Sequence, residues 1–261
     1  RHDVELAKSM GFNGVRKHQK IEDPRFLYWA DRLGLMVWEE MPSPYAFTAK
    51  ATQRLLSTWT EAIERDISHP CIVAWVPYNE SWGLPDLTTV AAQRDSQRAL
   101  YYLTKSLDQS RPVIGNDGWE MVAGDILAVH DYDGDANRLR ERYSAGLEPG
   151  PRNELFAKQR PGYRELLLDH YDHSGRPIML TEFGGICYSP DKEAWGYKRA
   201  SSVEEFSRQV GDILSAVRAV PCFAGFCYTQ LTDTYQEANG LLYMDRTPKY
   251  AIEEIARHIR G

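Results

Sequence analysis

The sequence predicts an α/β fold, a (β/α)8 barrel, on three observations. Helix-like and strand-like patterns alternate from end to end. The strand-like runs are continuously apolar rather than alternating, as parallel strands covered on both faces require. Two glutamates, Glu80 and Glu182, each close such a run, in IVAWVPYNESWG (72–83) and PIMLTEFGG (177–185). Carboxylates at the C-terminal ends of different strands are the placement such a barrel gives its chemistry, and 261 residues is near the roughly 250 typical of one barrel.

The elements follow in order. Residues 3–10 read as a helix, followed by the strand GFNGVRKH (11–18). A helix over 24–33 has Pro24 in its first turn, Phe26, Ala30 and Leu33 on one face, and Gly34 as its stop. The strand LMVWEE (35–40) comes next, then a helix over about 49–68 and a strand over 72–79. A helix over about 86–108 leads to the strands PVIGN (112–116) and ILAVHDY (126–132), and a helical stretch within about 152–170 precedes PIMLTE (177–182). The helix over 202–219 repeats Val203, Phe206, Val210, Ile213 and Val217 at helical spacing behind a capping box of Ser201 and Glu204. CFAGFCYTQ (222–230) is the last strand, and Ile252, Ile255 and Ile259 mark a closing helix. A closed barrel needs an eighth strand beyond these seven, and it is expected just upstream of Arg1. The chain opens without Met, so residues 1–261 are expected to be a single barrel domain of a longer polypeptide.

Composition narrows the partners. The chain is 43% hydrophobic and 26% charged, with a formal charge of −6 and acids and bases intermixed. No basic block suggests nucleic acid, and no apolar run is long enough for a spanning helix. Cys71, Cys187, Cys222 and Cys227 lie in or beside apolar strands without metal-ligand spacing. They read as buried free thiols, which points to the cytoplasm and leaves a periplasmic or secreted location open.

Two carboxyl groups with different jobs are what glycosidic-bond cleavage needs: one protonates the leaving oxygen, the other attacks the sugar or activates water. The segments that surround them are GFNGVRKH, DRLGLMVWEE (31–40), HPCIVAWVPYNESWG (69–83), PIMLTEFGG and QLTD…NGLLYMDRTPK (230–249). On these segments the chain resembles the catalytic barrel of glycoside hydrolase family 2, the β-galactosidase, β-glucuronidase and β-mannosidase group. The resemblance implies a retaining exo-β-glycosidase, β-galactosidase-like by default, with Glu80 as acid/base and Glu182 as nucleophile. It also implies Arg16 as the arginine bracing the nucleophile, β-sandwich domains elsewhere in the protein, and homo-oligomers. The lysine of the family's N-x-K element, which receives a uronic acid carboxylate, has no counterpart here. The acidic-x-His element that supports magnesium in some β-galactosidases is missing after Glu40, so no cofactor or obligatory metal is expected.

The substrate is expected to be a carbohydrate. Glu80 must carry a proton near neutral pH and Glu182 must not, so Glu182 needs donors and positive charge around it. The Asn79 amide suits a hydrogen bond to the sugar hydroxyl beside the anomeric carbon. His18 reads as a substrate contact or as a histidine held by its neighbours. His130 and Tyr132 are candidates to orient Glu182. Trp82, Trp119 and Tyr228 lie at or past strand ends, where aromatic faces stack on sugars, whereas Trp38 and Trp75 read as core. Glu39 and Glu40 are expected to pair with Arg16 or Lys17, with a substrate contact as the other reading. The run from His130 to Asn137 spaces carboxylates like a calcium loop, but Ala136 stands where the glycine belongs and Arg142 where the glutamate belongs. The alternative reading of the whole chain is a carbohydrate-binding barrel without turnover, natural or as an inactive fragment.

Overall fold

The computed structural model describes residues 1–144, 161–173, 175–191 and 193–261. Helix α1 (His2–Ser9) leads to β1 (Gly14–Lys17), α2 (Pro24–Leu33), β2 (Met36–Glu40), α3 (Ala49–Asp66), β3 (Ile72–Val76) and α4 (Ala91–Leu107). Then come β4 (Leu127–Asp131), α5 (Ala136–Ser144), β5 (Ile178–Gly184), the two-residue strands β6 (Ile186–Cys187) and β7 (Lys198–Arg199), α6 (Val203–Arg218), β8 (Phe223–Thr229) and α7 (Ile252–Arg260).

The barrel wall is parallel throughout. β1, β2 and β3 pair side by side, as do β4, β5 and β8. Residues 112–117 join the two sets. They bridge β3 at Trp75–Val113 and extend to Asn79–Asp117, and the Gly118 carbonyl accepts from His130 N–H of β4 at 3.3 Å. The expected strand at 112–116 is thus a pair of isolated bridges rather than a ladder, since Pro77, opposite the gap between them, has no N–H to give. Among the described residues β1 and β8 do not pair with each other, and they form the two edges of this seven-segment wall.

The helices pack outside in two apolar clusters. Trp59, Ile63 and Leu27 from α2 and α3 meet Val37, Ile72 and Trp75 of the wall, and Phe206, Val210, Ile213 and Val217 of α6 meet Leu180 and Phe183. α2 starts where Asp23 accepts from Arg25 N–H at 2.8 Å and stops at left-handed Gly34. α6 is capped one residue later than the sequence suggests: Ser202 accepts from Glu205 N–H at 3.2 Å, and the Glu205 carboxylate reaches back to Ser201 N–H. α4 begins only at Ala91, because Asp86 and Thr89 close a turn first. Of the helical stretch expected within 152–170, residues 152–160 lie outside the described residues, and the remainder holds a short 3-10 turn at Pro161–Tyr163.

α5 was hidden in the sequence by its aspartates. Asp135 accepts from Asn137 and Arg138 N–H and so starts the helix, Asp133 pairs with Arg138 and Arg142, and Asp131 takes Arg142 and the Tyr143 hydroxyl. The calcium-like spacing is thereby filled with arginine. Among the described residues no helix is long and apolar enough to cross a membrane.

Candidate active site

Period-two alternation sorts the strand ends into a mouth and an outer face. On β1, Arg16 points into the mouth, while Lys17 turns outward to Glu22 at 2.6 Å and over the Phe26 ring. On β2, Glu40 points in, and Glu39 turns outward, fully buried, to accept from Glu22 N–H at 2.8 Å. On β4, His130 faces in and Asp131 faces out. Register shifts lie at Val129–His130 and between Leu180 and Phe183, where a bulge can re-aim side chains. Both Thr181 and Glu182 reach the site there.

Glu80 arrives on a strained turn. Glu80 and Ser81 hold left-handed φ values of 49° and 60°, which costs non-glycine residues about 1–2 kcal/mol each. The turn is fixed by Glu80 N–H donating to the Asp117 carbonyl at 2.9 Å and Ser81 N–H to Asn116 Oδ1 at 3.1 Å. Glu80 and Glu182 then meet across the mouth. A carboxylate oxygen of each and a ring nitrogen of His130 all lie within 4.8 Å of one another.

Glu182 is almost enclosed. Its Oε1 accepts from Arg16 Nη1, and its Oε2 accepts from the Tyr132 hydroxyl at 2.6 Å and lies 3.3 Å from His130 Nδ1. Burial alone would raise its pKa, but the charges of His130, Arg16 and His18 and the Tyr132 hydrogen bond hold it down to about 2. Arg16 also donates to Glu40 Oε2 at 2.6 Å and to Asn79 Oδ1 at 2.7 Å, with Asp117 Oδ2 2.7 Å from its Nε. Burial works against the guanidinium charge; Asp117, Glu40 and Glu182 restore it and raise its pKa well above the ordinary value. For His18, burial is likewise outweighed by Glu40, so its pKa is raised.

His130 is the buried centre of the mouth. Its Nδ1 lies 2.8 Å from Glu80 Oε1, and its Nε2 lies 3.2 Å from Asp117 Oδ1, off the line of a hydrogen bond. Burial opposes its charge, yet Glu182 and Asp117 raise its pKa to about 10. Gly118 stands against this ring with φ +104°, and a Cβ there would come 2.7 Å from Nδ1.

The structure therefore brings Glu80, Glu182, Asn79, Arg16, His18, His130 and Tyr132 to one mouth. Trp119 joins them with its ring edge-on to His130 at 5.7 Å. Trp82 is 51% exposed, two residues beyond Glu80 on the rim. Tyr228 differs from the expectation. It is 6% exposed, edge-on to Phe183 at 5.5 Å and pressed under Gly184, so its ring is packing and offers no open face. Trp75 is core as expected, with its Nε1 donating to Asp108 at 2.9 Å, and Trp38 packs at the core's margin. Glu40 pairs with Arg16 as read, whereas Glu39 takes neither Arg16 nor Lys17.

Sequence reasoning missed Asp117 and Tyr197. Asp117 is buried and takes the Thr181 hydroxyl, Arg16 and His130; these charges and bonds overcome burial and hold its carboxyl well below the usual range. It closes the apolar run PVIGN much as Glu80 and Glu182 close theirs, a signal available in the sequence. Tyr197, from the excursion carrying β6 and β7, stacks on Tyr132 at 3.7 Å and 7°.

Among the described residues, two side-chain groups have donors close enough for a metal ion. In the mouth, Arg16 and Tyr132 already donate to the two oxygens of Glu182, and the Arg16 guanidinium places a positive charge beside them, so the donor set favours no cation. At the opposite end of β3, Asp31 takes His69 Nδ1 at 2.6 Å and Cys71 N–H at 2.8 Å, which clips α2 to the wall; burial pushes the Cys71 thiol up.

Comparison with known proteins places the chain in a family and matches its fold. The profile of "Glycosyl hydrolases family 2, TIM barrel domain" matches residues 1–261. The chain belongs to glycoside hydrolase family 2. It is 26% identical over 278 residues to a β-galactosidase of Vibrio cholerae, covering 98% of this chain and 24% of that protein. It is also 26% identical over 288 residues to a β-glucuronidase of Streptococcus agalactiae, covering 98% and 45%. The fold is that of the family 2 β-galacturonidase of Eisenbergiella tayi bound to galacturonate, with a TM-score of 0.74 at 19% identity over 99% of this chain and 47% of that one. The chain spans less than half the length of each of these proteins.

Proposed function

We propose that the protein is a retaining exo-β-glycosidase, acting by default on β-galactosides, with Glu182 as nucleophile and Glu80 as acid/base. The observation that carries this reading is the approach of the two carboxylates to within 4.8 Å between nearest oxygens. Retaining enzymes hold their carboxyl groups about 5–5.5 Å apart, and inverting ones leave room for a water, at about 6.5–9.5 Å. The surroundings differ as the two roles require. Glu182 is gripped by Arg16 and Tyr132 and held ionised, while Glu80, on its strained turn, is the more open of the two.

In this reading Glu182 attacks the anomeric carbon as its bond to the leaving oxygen breaks, and Glu80 delivers a proton to that oxygen. Water then enters, Glu80 takes its proton, and the ester at Glu182 is released. Asn79 has its Oδ1 fixed by Arg16 and its buried Nδ2 without a partner among the described residues, which suits a donor waiting for a sugar hydroxyl. Aryl β-galactosides, β-glucuronides, β-galacturonides and β-mannosides tested side by side on the full chain will identify the sugar. Methanol as acceptor should give a β-methyl glycoside. An α product means inversion, and saturable binding without turnover on any of them means a sugar-binding barrel.

A further inference from the structure

We propose that His130 is a positioning residue that stores the proton Glu80 delivers, so that the two side chains work as a pair sharing one proton. This rests on the assignment of Glu80 as acid/base. Glu80 has to be a neutral acid when the bond breaks, and its Oε1 meets His130 Nδ1 at 2.8 Å, on a ring whose other contacts, Asp117 at 3.2 Å and Glu182 at 3.3 Å, favour the protonated form. Moving that proton from Nδ1 to Oε1 turns an imidazolium and a carboxylate into a neutral imidazole and a neutral acid. The net charge of the pair is unchanged, and no water has to reach the buried ring.

The neighbours on each side favour this exchange. Asp117, from the segment beside β3, and Glu182, from β5, face His130 and hold the proton on it before substrate binds. Arg16 of β1 lies behind both carboxylates and limits their pull. On its own strand, Tyr132 is tied to Glu182 and Asp131 is turned away to Arg142. His18 lies 3.6 Å from the far oxygen of Glu182, and Tyr197 stands beyond Tyr132. The Trp119 ring packs in T-shaped geometry against His130 at 5.7 Å, with the Arg164 guanidinium over the indole at 5.6 Å.

The cycle balances. In the first step the proton passes from His130 Nδ1 to Glu80 and on to the glycosidic oxygen, the aglycone leaves as an alcohol, and Glu182 becomes a neutral ester. Loss of the Glu182 charge removes one of the two carboxylates that kept His130 protonated, so the neutral ring is stable while the ester lasts. In the second step water attacks the anomeric carbon, its proton goes to Glu80 and back to His130, and Glu182 regains its charge.

His130→Asn and His130→Gln in the full chain test this. For a β-glycoside with a poor leaving group, kcat/KM should fall about 10²-fold near neutral pH, and its alkaline limb should move at least one pH unit lower. An activated aryl glycoside, which needs little acid assistance, should be nearly unaffected. Equal losses on both substrates with an unmoved alkaline limb would overturn the proposal. Nitrogen NMR of the parent gives a readout independent of variants: His130 should be doubly protonated in the free protein and neutral once a fluoroglycoside traps the intermediate. A ring whose protonation is the same in both states also overturns it. The trap separates the two claims, because absence of label on Glu182 removes the retaining reading itself, whereas labelled Glu182 with an unchanged His130 removes only the shared proton.

Discussion

At the scale of single residues, the two glutamates predict different losses. Glu182→Gln should keep the fold and lose turnover by about 10⁴-fold, the scale of removing a covalent nucleophile. Glu80→Ala should retain much of its rate on activated aryl glycosides, and added azide should restore part of the loss by attacking the ester and appearing as a β-glycosyl azide. Parent-like kinetics in both variants would dismiss the assignment. These two residues were legible because each closes an apolar run, and so does Asp117, which follows the run PVIGN directly. The roles of His130 and Tyr132 were legible only in outline. A strand-end histidine can touch any of several neighbours, and only the bulges beside Val129 and Leu180 decide that it touches both glutamates.

At the scale of elements, the excursion between β5 and α6 is where sequence reading ran out. β6 and β7 are two residues each, too short for any periodicity, yet they carry Tyr197 onto the face of Tyr132. Aromatic stacking of this kind is worth about 0.5–1.5 kcal/mol. Tyr197→Ala should therefore loosen Tyr132 against Glu182 and lower kcat by up to about tenfold; an unchanged kcat would leave the stack with no part in positioning. α6 was easy, because its apolar stripe repeats over four turns. Its cap was misread by one position because Ser201 and Ser202 are adjacent, each with an acidic residue three places on. Ser202→Ala should cost about 1 kcal/mol, read as a lowered denaturation midpoint, and Ser201→Ala should cost less.

For the molecule as a whole, the wall was legible strand by strand, since buried parallel strands announce themselves as apolar runs. What lies between wall and helices was not. Glu39 is the chief example: alternation sends it away from the mouth into a dry layer, with one oxygen unpartnered among the described residues and Asp66 near. Burial, with a smaller contribution from Asp66, raises its pKa from 4.5 to about 7. The folded state thus binds this proton more tightly than the unfolded chain does. Stability should fall as pH rises from about 4.5 to about 7, with the full penalty present above that range. Glu39→Gln should flatten that part of the stability–pH curve and raise stability at alkaline pH by on the order of 2 kcal/mol. Chemical denaturation at several pH values will check it, and an unaltered slope would mean that Glu39 stays ionised.

Gly118 gives the mouth a vulnerability that carries no charge at all. The ring of His130 occupies the space a methyl group at position 118 would claim. Gly118→Ala would leave every acid and base in the sequence untouched and still pry the imidazole off its glutamate. A random-mutagenesis screen for folded but silent variants should therefore recover substitutions at this glycine alongside those at the carboxylates.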